Sequence, residues 1–329
     1  MPQNRPARHS IVLPIFNEAS VIPDLHARLV SEIAQPIQAL GDQVEFILVD
    51  DGSKDGSGQL LEQLQAKDPE RFRVILLSRN FGHQTAITAG IDASSGDTIT
   101  TIDADLQDPP RVVIQMIEQW RAGFDVVFAR REKREAESVF KLWTAALFYR
   151  LLKSATQLEI PLDTGDFRLM SREAAFALSS LREQHRFVRG LAAWVGFKQT
   201  SILYVRDARH SGETKYPLKK MVRLAWDAFT GFSRAPLKIA TWIGIFSALL
   251  ALALAVWALY AKWVGLGVVQ GWTSLMIVVL FFGGVQLLSI GILGEYIGRI
   301  FEQVKDRPLY LVRKRLGNFD RPLRSPEQS

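Results

Sequence analysis

With 329 residues, 48% of them hydrophobic, the chain is long enough to bury a complete α/β domain and keep about a quarter of its length for another purpose. The absence of cysteine excludes a disulfide framework and a zinc–thiolate site, and it suits a reducing compartment. Lysine and arginine exceed aspartate and glutamate by 40 to 34. That excess is clustered between Arg130 and Lys238 and again near the C-terminus, with no aromatic-interleaved basic groove, so anionic lipid is favoured over nucleic acid as a partner.

Residues 1–9 are polar and contain no apolar core of signal-peptide length, so no secretory leader is expected. From there to about residue 130, short β-branched runs alternate with helical patterns. Strands are expected at 9–13, where Pro14 ends the run, and at 44–49, 72–77, 98–102 and 125–129. Helices are expected at 21–39, through Leu61 and Leu64 with Asp55 as the cap, at 84–93 and at 112–120. This rhythm calls for a mostly parallel sheet with helices on both faces, and ligands of such sheets bind at the carboxyl ends of the strands.

Two of those ends are acidic. The second strand runs into Asp50-Asp51-Gly52-Ser53, and the fourth empties into Asp103-Ala104-Asp105-Leu106-Gln107. Asp103 and Asp105 share one face of a continuing strand and can converge in a turn. Alone, an Asp-x-Asp reads first as a solvated acidic turn. Two carboxylate turns on one rim point instead to a hard divalent cation, Mg²⁺ or Mn²⁺, which completes its shell with substrate phosphates. No G-x-x-x-x-G-K-[ST] occurs and no G-x-G-x-x-G follows the first strand, which disfavours an NTPase or a dinucleotide oxidoreductase. A rim that offers acids to a phosphate must do so through a metal.

Residues 137–157 form an apolar, aromatic and basic helical pattern that suits either a membrane surface or packing against the sheet. A further short strand follows at 164–170, where Asp166 and Arg168 either pair with each other or serve the site. Residues 216–233 read as a helix lying in the membrane interface. Residues 237–261 and 275–293 each have about the 20 apolar residues that a bilayer-spanning helix needs, with Trp242, Trp257, Trp263 and Trp272 near their ends. Lys219, Lys220, Arg223, Arg234 and Lys238 precede the first span, and Arg299, Lys305, Arg307, Arg313, Lys314 and Arg315 follow the second. The positive-inside rule therefore places both flanks, and the α/β domain, in the cytoplasm. The chain divides into a catalytic domain (1–215), an interfacial helix (216–236), a two-helix hairpin (237–293) and a basic tail (294–329), in which 295–303 is a second interfacial helix and 318–329 a loose end.

Six ordered motifs remain. They are Val12-Leu13-Pro14-Ile15-Phe16-Asn17-Glu18, Leu48-Val49-Asp50-Asp51-Gly52-Ser53, Leu77-Ser78-Arg79-Asn80-Phe81-Gly82-His83-Gln84, Asp103-Ala104-Asp105-Leu106-Gln107-Asp108-Pro109-Pro110, Thr164-Gly165-Asp166-Phe167-Arg168-Leu169-Met170 and Gly212-Glu213-Thr214-Lys215-Tyr216-Pro217-Leu218. As a set, with the two-span anchor, they resemble the polyprenyl-phosphate glycosyltransferases, inverting family 2 enzymes of the GT-A fold. The likeness is strongest to the bacterial bactoprenol glucosyltransferase branch, which joins the same motifs to a two-helix anchor. The resemblance implies an enzyme of the inner (plasma) membrane that moves a sugar, with glucose from UDP-glucose favoured, to undecaprenyl phosphate; a homo-oligomer is consistent with it.

Carried over position by position, the resemblance assigns Pro14, Phe16, Glu18 and Asp51 to the nucleotide base and ribose, and Asp103 with Ala104 to the nucleotide side of the metal site. Asp105 and Gln107 would bind the Mg²⁺ or Mn²⁺. Arg131, Arg209 and Lys215 would hold donor and acceptor phosphates, helped by Ser138 and Lys141. Phe16 stands where many relatives have tyrosine, and Asp166 is serine in the dolichol branch. A lipid phosphate is already ionised near neutral pH and can attack without a general base, so Asp166 is expected to orient the acceptor or an arginine. Two other classes compete. A hydroxyl-accepting or processive family 2 synthase typically carries Q-x-x-R-W, which Gln184-His185-Arg186-Phe187-Val188 does not match. A non-catalytic membrane scaffold predicts decay at the metal site, where Asp103, Asp105 and Gln107 are all present.

Overall fold

The computed structural model describes residues 6–105, 107–132, 164–205, 235–264 and 271–319. They fall into two compact units. The first contains eight strands: β1 (Arg8–Ile15), β2 (Gln43–Asp50), β3 (Phe72–Leu77), β4 (Thr98–Thr101), β5 (Val126–Arg131), β6 (Thr164–Ser171), β7 (Gln199–Tyr204) and β8 (Val312–Leu316). They form one sheet in the order β7-β5-β6-β4-β1-β2-β3-β8. β1 pairs in parallel with β2 and β4, β2 with β3, and β5 with β7. β6 runs the other way between β4 and β5, and β8 runs antiparallel to β3 at the edge. The sheet is thus mixed with mostly parallel strands, as expected, although neither reversed strand direction is legible in the periodicity.

Alternation along β1 builds both faces. Ile11, Leu13 and Ile15 are buried in one cluster with Phe46 and Leu48 of β2, Val74 and Leu76 of β3, and Leu25, Leu29, Leu61 and Met116 from the covering helices. Each such side chain contributes roughly 1.5–3 kcal/mol by leaving water. Val12 points to the opposite face, under α4 (His83–Ala93). The approach there is so close that a Cβ on Gly90 would lie 2.2 Å from Val12 Cγ1, and only glycine fits.

Pro14 does not end the first strand; β1 runs through it to Ile15. Ile102 N donates to Val12 O across the β4 side, and Pro14, two residues on, faces the same way beyond the end of β4. No ladder hydrogen bond is lost there, which is the condition under which a strand tolerates proline. The single helix expected over 21–39 is instead α1 (Ile22–Leu29), a π turn (Val30–Ala34) and α2 (Gln35–Ala39). Pro36 has no N–H and would crowd the carbonyl four residues back, and one wider turn absorbs that conflict. Asp55 does serve the start of α3 (Ser57–Lys67): its Oδ1 accepts from Ser57 N at 3.0 Å, across the left-handed Gly56.

The remaining helices of this unit are α5 (Val112–Arg121), α6 (Arg172–Ser180) and α7 (Val188–Trp194). The second unit contains α8 (Ala235–Trp263) and α9 (Trp272–Val304), which contact each other. Within them, Pro236–Tyr260 and Ile277–Val304 are long and apolar enough to cross a membrane. Residues 295–303, expected as a separate interfacial helix, continue α9 without a break. The expected helices at 137–157 and 216–233 lie outside the described residues.

Candidate active site

The carboxyl ends of β1, β2, β4, β5 and β7 share one rim, and the reversed β6 contributes its beginning to it. That reversal brings Asp166 beside the turn after β4, because Arg168 pairs with Thr101 and Asp166 lies two residues further out.

The expected nucleotide side is built from three loops tied together. Asn17, left-handed at φ 55°, donates its N–H to Ser53 Oγ at 2.9 Å, and its Oδ1 accepts from Lys54 N at 2.9 Å. Glu18 N donates to Ser57 Oγ at 3.1 Å. Asp51 spends both oxygens on the loop before α4, accepting from Phe81 N at 2.7 Å and Gly82 N at 2.9 Å. Burial pushes its carboxyl up, and those two amides pull it partly back. Gly52 follows with φ 70°, where a Cβ would lie 2.4 Å from Arg79 C; the tight turn lets the two loops touch. Pro14 is buried in β1, Ala104 is buried, and Phe16 is an exposed aromatic at the lip.

The central turn carries Asp103, Asp105, Gln107 and Asp108. Asp103 is pushed up to about 6, first by burial and then by the charges of Asp166, Asp108 and Asp105, with His83 opposing. Its Oδ1 is buried without a hydrogen bond, 3.5 Å from His83 Nε2. Asp105 Oδ1 accepts from Gln107 N at 3.1 Å, so the two expected metal ligands share one small turn. Asp105, Gln107 and the unsatisfied Asp103 Oδ1 are hard oxygens of the chemistry a divalent cation takes, although among the described residues no three or more acids or histidines are gathered closely enough to hold one by themselves.

The folded state holds Asp103's proton more tightly than the unfolded chain does, so its ionisation costs stability as pH rises from the ordinary 3.8 through about 6. The cost above that window is on the order of 3 kcal/mol. With chelator present, Asp103→Asn should therefore melt higher than the parent at pH 7.5, and the gap should close by about pH 4. A gap independent of pH would mean that Asp103 is not the strained acid.

Asp166 is the opposite case. Its Oδ1 accepts from Arg168 Nη2 at 2.8 Å and Arg189 Nε at 3.1 Å, and its Oδ2 from Gln84 Nε2 and Arg189 Nη2, both at 3.1 Å. His83 Nε2 stands 3.2 Å from Oδ2. Burial alone would raise this acid, but the His83 hydrogen bond and the charges of Arg189 and Arg168 hold it well below the usual carboxylate range. In turn, the Asp166 hydrogen bond and the Asp103 charge outweigh burial and lift His83 above the ordinary histidine value. Arg168 is fully buried, and burial lowers it to about 10, still protonated at neutral pH. On β5, Arg131 Nε donates to Tyr204 Oη at 3.2 Å, and Tyr204 Oη donates to Asp108 Oδ1 at 2.6 Å.

The structure therefore brings Asp103, Asp105, Gln107, Asp166 and Arg131 to one rim with Pro14, Glu18 and Asp51. Ser138, Lys141, Arg209 and Lys215, with the motif from Gly212 to Leu218, lie outside the described residues. His83, Gln84, Arg189, Tyr204 and Asp108 were given no role from sequence. The third motif flagged His83 and Gln84 and the fourth flagged Asp108, whereas nothing local marks Arg189.

The sequence profile of Glycosyl transferase family 2 matches residues 10–176, which span β1 to α6 and the whole central turn. The chain belongs to glycosyl transferase family 2. Its sheet is of the GT-A type, with the acidic turn at the rim. A second profile, the GtrB C-terminal hairpin, matches residues 235–300 of this family 2 transferase, the two apolar helices. Among its relatives, glycosyltransferase YkcC of Bacillus subtilis (strain 168) is 48% identical over 95% of this chain and 96% of that one. The bactoprenol glucosyl transferase of Shigella phage SfII is 40% identical over 93% and 97%. A prophage bactoprenol glucosyl transferase homolog of Escherichia coli (strain K12) is 38% identical over 93% and 98%.

Proposed function

We propose that this family 2 transferase moves a sugar, glucose from UDP-glucose, to the phosphate of a polyprenyl lipid, with inversion, at the cytoplasmic face of the inner membrane. The observation that carries the reading is the saturation of Asp166. An acid gripped by two guanidiniums, an amide and an imidazole is a poor proton acceptor, which supports an acceptor that arrives already ionised. A lipid phosphate does, and a sugar or lipid hydroxyl does not. The near-full-length likeness to bactoprenol glucosyl transferases and the two apolar helices support the same acceptor.

In the reaction, Asp51, Glu18 and the loops they brace position the nucleoside, and Asp103 faces its sugar-phosphate side. Asp105 and Gln107 would hold the divalent cation, whose chemistry is to neutralise the departing diphosphate. A phosphate oxygen of the acceptor attacks the anomeric carbon from the face opposite the leaving group. The carbon–oxygen bond to the nucleoside diphosphate breaks as the new bond forms, and no proton moves. Arg131, held by Tyr204 and Asp108, supplies positive charge at the acceptor end of the rim. Arg209, Lys215, Ser138 and Lys141 are proposed to join it.

Membranes containing the protein, given radiolabelled UDP-glucose, undecaprenyl phosphate and Mg²⁺ or Mn²⁺, should yield a lipid-linked sugar that chelator abolishes. Transfer to undecaprenol lacking the phosphate would favour a hydroxyl-accepting synthase. No lipid product with any of a panel of nucleotide sugars would favour a scaffold that kept the fold.

A further inference from the structure

A lipid phosphate brings an anionic head and an apolar tail to the rim, and each needs a surface of its own kind. Two arginines end β5, and alternation sends them to opposite faces of the sheet. Arg131 turns to the face of Tyr204, where Tyr204 Oη accepts its Nε–H and Asp108 stands 3.9 Å away. Arg130 turns to the other face, opposite Thr164 in the pairing with β6 and on the side that carries Asp166 and Arg168. It is exposed, and among the described residues no ion pair or side-chain hydrogen bond engages it, Glu132 included. Its neighbour on β7 is apolar. Arg130 is in register with Leu203, so both side chains share that face. Leu203 is 62% exposed, and Val205, just past the end of the strand, is 66% exposed. They are uncovered because α7 stops short of them. Gln199 Nε2, on the same face at the start of β7, donates to Ala192 O at 3.3 Å and Ala193 O at 3.2 Å, near the end of that helix. β7 is also an edge of the sheet, so no further strand lies beside it.

We propose that Arg130, Leu203 and Val205 seat a prenyl phosphate acceptor, Arg130 taking the phosphate and the edge of β7 the first isoprene units, an assignment that rests on the transferase reading above. A guanidinium that no neighbouring acid occupies keeps its fork of donors for two phosphate oxygens. A leucine left in water gains when an apolar chain covers it. Side by side, the two select a molecule that is anionic at one end and apolar next to it. A nucleotide sugar meets the first condition and fails the second. Rim order agrees as well. Across the sheet, Asp51 follows β2, Asp103 follows β4, Asp166 lies on β6, and Arg130 and Leu203 come next on β5 and β7. The acceptor therefore stands across the acids from the expected nucleotide side. From there its phosphate oxygen approaches the anomeric carbon opposite the departing diphosphate, as inversion requires.

The test uses the full-length protein in phosphatidylcholine nanodiscs and four probes: prenyl monophosphates of five and fifteen carbons, the fifteen-carbon prenol and UDP-glucose. Arg130→Gln should weaken binding of both prenyl phosphates by about tenfold or more, leave the prenol and UDP-glucose within roughly twofold, and leave the melting temperature nearly unchanged. Arg130→Lys, which keeps the charge without the fork, should recover part of the loss. Leu203→Ser should weaken the fifteen-carbon phosphate by about threefold or more and the five-carbon phosphate by less than twofold. In turnover the KM for the prenyl phosphate should rise in both variants more than kcat falls. If the parent separates prenyl phosphate from prenol and Arg130→Gln does so equally well, the assignment is overturned while the transferase reading stands. An equal loss of UDP-glucose binding overturns it too, because Arg130 would then serve the donor or the fold. So does a loss that appears only when phosphatidylglycerol is added to the nanodisc, since Arg130 would then hold bilayer headgroups. A Leu203→Ser effect independent of chain length overturns the place given to the tail. A parent that cannot tell prenyl phosphate from prenol brings down the transferase reading together with this one.

Discussion

Asp105→Ala should lower transfer by on the order of a thousandfold and leave the domain folded. The rate loss follows from removing a proposed ligand of the cation that would offset the diphosphate charge, and three decades correspond to about 4 kcal/mol of transition-state stabilisation. The fold should survive because little of it depends on this side chain. The Gln107 N–H bond to Asp105 Oδ1 contributes roughly 1 kcal/mol, and Asp105 is one of the charges that press on Asp103, so removing it also relieves repulsion. Steady-state transfer and thermal melting, measured on the same preparation across a Mn²⁺ titration, check both halves. Substantial residual activity at every metal concentration would sink the ligand assignment.

Asp166→Ala should do the reverse, damaging the fold first. It strips the countercharge from Arg168, whose side chain has no exposed surface, and breaking a buried pair in this way costs about 3–5 kcal/mol. Against a total stability of roughly 5–15 kcal/mol for a domain, that is enough to impair accumulation. Loss of activity in Asp166→Ala is therefore no sign of a catalytic base. Asp166→Asn keeps an acceptor oxygen for Arg168 and should melt between the two. Replacing Arg168 with methionine in the Asp166→Ala background should recover part of the lost stability, since no uncompensated charge stays buried. If Asp166→Asn melted like the parent, bound UDP-glucose normally and still had no activity at any pH, Asp166 would be a base or an essential acceptor ligand.

Much of the sheet was legible because β1 to β5 are β-branched runs whose period and spacing are local properties. The acidic turns were legible for the same reason, since a strand that empties into Asp103-Ala104-Asp105 announces its own end. Strand direction was not. Residues 164–171 alternate as any strand would, and only pairing with β4 and β5 fixes that β6 runs backwards between them. The consequences of that pairing were equally hidden. Asp166 and Arg168 were rightly weighed as partners, but Arg189 reaches Asp166 from 23 residues away and Gln84 from 82 residues away, contacts that no periodicity encodes. β8 was missed because Arg313, Lys314 and Arg315 read as a charged flank; on an edge strand the same residues stand in solvent and discourage further pairing.

β8 also constrains how the protein is made. It seals the outer edge of β3, with Val74 opposite Leu316 and Ile75 opposite Arg315, and Tyr310 Oη, two residues before the strand, bonds Asp92 Oδ2 at 2.8 Å. In the chain these residues come after both apolar helices. During synthesis the sheet therefore waits, with one strand's hydrogen-bonding groups open, until the hairpin has left the ribosome. A nascent chain stalled at Val304 would carry that unsealed edge exposed, as a template for pairing with its neighbours. Placing the closing strand last makes the finished sheet a record that the hairpin has already been translated.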